Sequence, residues 1–75
     1  MNIAEYNKQR NKALLSLDKQ ELQRLAKENN TKIPEDEKVF WAGVHYARLN
    51  ITSFSEEVKQ VSHDWLIDNG FNPSY

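Results

Sequence analysis

With 75 residues, no cysteine and a net charge of −1, the chain has room for one small domain without disulfides or thiolate metal sites. Folding at this size buries only about 60% of the surface of the unfolded chain, so helix packing or self-association must supply the stability. Met1 to Tyr6 form neither a basic nor an apolar leader, and no run nears the roughly 18 apolar residues of a membrane span, so a cytoplasmic location without a membrane partner is expected.

The first helix is expected near residues 2–16. Ile3, Tyr6, Arg10, Ala13, Leu14 and Leu17 recur at helical spacing, an apolar stripe that Arg10 interrupts. Asp18-Lys19-Gln20-Glu21 then has the form of a capping box, with Asp18 accepting from first-turn amides and Glu21 reaching back to the Asp18 amide. A second helix over 18–29 follows, with a short stripe of Leu22, Leu25 and Ala26 and a stop at Asn29-Asn30.

The third helix is placed over 34–50. Pro34 suits a first helical position because its missing amide would go unpaired there anyway, and Glu35, Asp36 and Glu37 complement the positive end of the helix dipole. At about 100° per residue, Phe40, Gly43, Val44, Ala47 and Ile51 fall on one face and Trp41, Ala42, His45, Tyr46 and Leu49 around the other. Such a helix must be covered on two sides. Gly43 and Ala47 would make a shallow groove for a crossing helix, since glycine inside a helix otherwise costs up to about 1 kcal/mol. The fourth helix, near 54–69, opens on a second capping box, Ser53-Phe54-Ser55-Glu56, and carries Phe54, Val58, Val61 and Trp65, with Leu66 on the flank and Ile67 pointing away. Asn69-Gly70-Phe71 reads as its end, with Gly70 left-handed and Phe71 folding back. The fold expected is all-α, a single domain built as a small bundle of three to four helices around the one at 34–50.

Side chains that carry chemistry are not arranged to do so. Neither His45 nor His63 has a His, Asp, Glu or Cys four residues away to share a metal, so no metal or cofactor is expected. Ser62-His63-Asp64 spells a catalytic sequence, but neighbours on a helix diverge by about 100° and cannot form a hydrogen-bonded chain. The carboxylate groups Glu35-Asp36-Glu37 and Glu56-Glu57 sit in first turns, where capping and the dipole account for them. No catalytic residue is assigned, and the chain reads as a non-enzyme.

Charge is uneven, with +3 over residues 1–32 and −4 over 33–75. A basic surface around Lys8, Arg10 and Lys12 is therefore the alternative contact, and a small nucleic-acid-associated regulator the alternative function. Lys8, Arg10 and Lys12 are spread around the helix axis. A recognition helix led by three acids would also face phosphates, so nucleic acid is not the expected partner.

The run Pro34-Glu35-Asp36-Glu37-Lys38-Val39-Phe40-Trp41-Ala42-Gly43-Val44-His45, with Ser62-His63-Asp64-Trp65-Leu66-Ile67-Asp68-Asn69-Gly70-Phe71, resembles small uncharacterised proteins of Gram-positive bacteria and their phages. It covers about the second half of the chain. That resemblance implies a phage or prophage accessory protein that binds and modulates a host or defence protein, and carries over no site residue. The expected function is thus a protein-binding module, acting on such a partner or on itself as a homodimer. Trp41, His45, Tyr46 and Leu49 are its expected contact, because aromatic side chains dominate binding hot spots.

Overall fold

The computed structural model describes residues 2–73, which form four helices and no strand among those residues. They are α1 (Ile3–Ser16), α2 (Lys19–Glu28), α3 (Glu37–Asn50) and α4 (Glu56–Asp68). The chain divides into two compact units, Met1–Pro34 and Glu35–Tyr75, the first built on α1 against α2 and the second on α3 against α4.

In the first unit, Asn2 caps α1 by accepting from the Glu5 amide, and Asp18 caps α2 by accepting from the Glu21 amide. Only half of the expected capping box forms here. The Asp18 amide bonds the Ala13 carbonyl, closing the end of α1, and the Glu21 carboxylate turns to Arg24 instead. Arg24 also reaches Glu28 at 2.7 Å and, across to α1, the side-chain Oε1 of Gln9 at 3.0 Å. The guanidinium beside it holds the Glu21 carboxyl below its usual range. Ala13, Leu14 and Leu25 are buried, whereas Ile3, expected on the apolar stripe, is 79% exposed. Ile3 is the first residue of α1, whose buried residues, Ala13 and Leu14, lie toward its other end.

In the second unit, two helix starts lie later than the sequence suggested. Asp36 is the cap of α3, accepting from the Val39 amide at 3.1 Å, so Pro34 and Glu35 precede the helix. An aspartate side chain that bonds a free amide outcompetes a proline that merely lacks one. Ser55 caps α4 by accepting from the Val58 amide, in place of Ser53. Phe54 is buried, and its amide closes a turn onto the Ile51 carbonyl, so the helix begins after it. The buried stripe of α4 is also rotated from expectation. It centres on Ser62 and Leu66, with Val58 half-buried, while Val61 is exposed along with Ile67.

The end of α4 follows expectation. Gly70 has φ +82, its amide bonds the Ile67 carbonyl, and the Phe71 amide bonds the Leu66 carbonyl at 2.8 Å. The Phe71 ring returns over Trp65, with centroids 6.2 Å apart. Substituting Gly70→Ala is expected to cost about 1–2 kcal/mol, the penalty of a Cβ in the left-handed region, although the site itself is open. Thermal unfolding followed at 222 nm reads this directly; an unchanged midpoint would contradict the assignment.

Candidate functional site

The second unit holds both features with functional bearing, an open strip on α3 and a polar interior between α3 and α4. Around α3, Phe40, Val44, Arg48, His45 and Ala42 are buried, with Trp41, Tyr46, Ala47 and Leu49 at the margins. Opposite them, Val39, Gly43 and Asn50 are exposed and fall within one narrow arc, since positions four, seven and eleven apart nearly superpose on a helix. Tyr46 borders that arc. Val39 is 46% exposed, and a Cβ placed on Gly43 would meet no atom within 4 Å. No helix of this unit therefore occupies the groove expected at Gly43 and Ala47.

The four residues expected to form one contact are divided by this geometry. His45 is 3% exposed and belongs to the interior, so it is withdrawn from the contact set. Trp41 is half-buried, its ring edge-on to Phe40 at 5.1 Å, and Leu49 is half-buried as well. The Tyr46 hydroxyl donates to the Asn72 carbonyl at 2.6 Å, which ties the segment after α4 back to α3. Lys38 lies 5.9 Å from the Phe71 ring centroid and adds a second attachment of the same segment.

The polar interior was not anticipated. His45 Nδ1 lies 3.0 Å from the Ser62 hydroxyl, each residue buried, with Ser62 at 0% exposure. The hydroxyl donates to a bare Nδ1 or accepts from Nδ1–H according to the tautomer. The Trp65 ring stacks on the imidazole at 4.6 Å and 22°. One turn along α3, Arg48 is 4% exposed, and its Nε and Nη1 are sealed from solvent with no hydrogen-bond partner. Burial pushes the His45 imidazole down to about 4 and the Arg48 guanidinium also lowers it. Arg48 itself is displaced downward by the same burial. The Ser62 hydroxyl is thus paired with a histidine from another helix, while its neighbours in sequence, the half-buried His63 and the exposed Asp64, lie 3.4 Å from each other. With hydroxyl and ring both closed to any substrate, the pair as placed holds α3 and α4 in register.

In the first unit, Lys8 and Lys12 lie one turn apart and share a shallow surface depression with Glu5 and Gln9. Arg10 is turned elsewhere, bonding Asn11 and lying 6.0 Å from the Tyr6 ring. A second cleft of about 250 Å³ lies between α1 and α2, where Lys12 faces Asp18 and Glu21. Neither is uniformly basic. Among the described residues, no three His, Cys, Asp or Glu side chains converge on a common point, and no helix is long and apolar enough to cross a membrane. Compared with protein-family models, curated proteins and solved structures, the chain matches none.

Proposed function

We propose that the chain is a small helical bundle acting as a non-enzymatic protein-binding module, and that the Val39–Gly43–Tyr46 strip of α3 is its contact. Gly43 carries this reading. A glycine inside a helix costs about 1 kcal/mol relative to alanine, and the fold makes no use of the space it leaves. Local rules broken without internal gain mark functional positions. A backbone laid bare beside an exposed Val39 and a tyrosine lets a partner helix approach closely. The resemblance to small proteins of Gram-positive bacteria and their phages supports a prophage setting, with a cytoplasmic host or defence protein as the partner.

Self-association is the second form of the same reading. Two α3 strips crossing at Gly43 would be self-complementary about a two-fold axis, and light scattering distinguishes a dimer from a monomer. The nucleic-acid alternative gains nothing from Lys8 and Lys12, whose depression includes Glu5.

Gly43→Ala tests the assignment because its two effects oppose each other. It should raise stability by up to about 1 kcal/mol, filling open space with a better helix former. It should also weaken capture of the partner from bacterial lysate, or dimerisation. Gly43→Leu should abolish either. If both variants bind as wild type does, the strip is not the contact.

A further inference from the structure

We propose that the α3–α4 unit is an acid-sensitive clasp, closed while His45 is neutral and opened when His45 takes a proton. The geometry supplies the reason. The imidazole is buried, its Nδ1 is paired with the uncharged Ser62 hydroxyl, and its face is covered by Trp65. A proton arriving there would find no counter-charge. On α3 the charged neighbour is Arg48, a cation whose own Nε and Nη1 already lack acceptors. On α4 the half-buried ionisable side chains flanking Ser62 are Lys59 and His63, and neither offers a carboxylate. Asp64 is exposed and engaged by Gln60. From the segment after α4 comes Phe71, attended by Lys38. Apart from Asp64, which is exposed and turned to Gln60, the charges named around the ring are positive, so protonation adds a second buried cation beside the first.

The sign follows from the lowered affinity for protons. Above about pH 6.5 the ring is neutral whether the clasp is closed or open, and pH has no leverage. Between that value and about 4, the open form takes up a proton that the closed form refuses. The closed fraction then loses ground by up to about tenfold per pH unit. Because the strip on α3 belongs to this unit, opening would also dissolve the proposed contact, but the clasp is testable on the free protein and does not depend on a partner.

The experiment is an acid titration of the full chain followed by tryptophan emission and far-UV circular dichroism, with His45→Gln, Arg48→Met and His63→Gln alongside. In urea held just below the neutral-pH midpoint, wild type and His63→Gln should open together between about pH 6 and 4, because the His45 linkage lowers the closed-to-open ratio by roughly two orders of magnitude. His45→Gln, which keeps a side chain able to bond Ser62, should open at least about one pH unit lower, and Arg48→Met should also move downward. Coincident midpoints for wild type and His45→Gln would overturn the proposal, as would a wild type unchanged down to about pH 4. Should His45→Gln be unfolded at neutral pH, the wild-type ring resonance decides by NMR. A ring still neutral below about pH 5 supports the clasp, and one protonated above about pH 6 with the fold retained overturns it.

Discussion

Arg48→Met is expected to stabilise the protein by about 1–4 kcal/mol, the range seen when buried ionic groups give way to apolar side chains of similar volume. Nε and Nη1 of Arg48 are closed to water and bonded to nothing, so the folded state forfeits hydration that the unfolded state keeps. Methionine is unbranched and flexible, so it can follow the path of the arginine stem through the interior and fill irregular gaps. It also removes the cation nearest His45. Urea unfolding should show a higher midpoint with an unchanged slope, the mark of altered stability rather than altered compactness. A loss exceeding about 1 kcal/mol would mean that the guanidinium has an acceptor after all.

Leu66→Ala should act in the opposite direction and more strongly. Leu66 has 0% exposure, and removing its branched end forfeits transfer free energy and leaves a cavity, together about 2–5 kcal/mol. For 75 residues the whole stability is roughly 4–11 kcal/mol. The substitution should therefore lower the thermal midpoint by on the order of 10–30 °C, or leave the second unit unfolded at room temperature. Ile67→Ala is the internal comparison. One residue along the same helix, Ile67 is 53% exposed, and its truncation should stay within about 0.5 kcal/mol. Equal losses at the two positions would refute the burial of Leu66 against the exposure of Ile67.

The rotated stripe of α4 also shows how far the sequence could be read. All four helices were legible, as were the Asp18 cap and the Gly70 ending, because those signals are local: a side-chain oxygen near free amides, or a residue free of Cβ where φ is positive. The start of α4 was not. The capping-box pattern favours Ser53, yet Ser55 is the cap, and Phe54 between them is buried ahead of the helix. The face of α4 was missed for a related reason. Val58, Val61 and Trp65 look more apolar than Val58, Ser62 and Leu66, and what turns Ser62 inward is a histidine 17 positions earlier on another helix. A serine flanked four residues either way by Val58 and Leu66 was the available hint. For α3 the abundance of apolar residues hid the boundary between covered and open sides, and Arg48, the one formal charge in the final turns, gave no sign that it pointed inward.

The attachment of the segment after α4 has a consequence for how this chain tolerates change. The Tyr46 hydroxyl bonds a main-chain carbonyl at position 72, and the Phe71 amide bonds a main-chain carbonyl at position 66. Bonds to carbonyls are blind to the side chain that bears them. The information that fastens the tail is therefore stored at a distance, in a phenol 26 positions upstream, so an insertion or deletion within α4 would misplace the tail even if every residue of the tail were kept. Substitution at position 72 should consequently be tolerated, whereas Gly70, Phe71 and the spacing within α4 stay constrained.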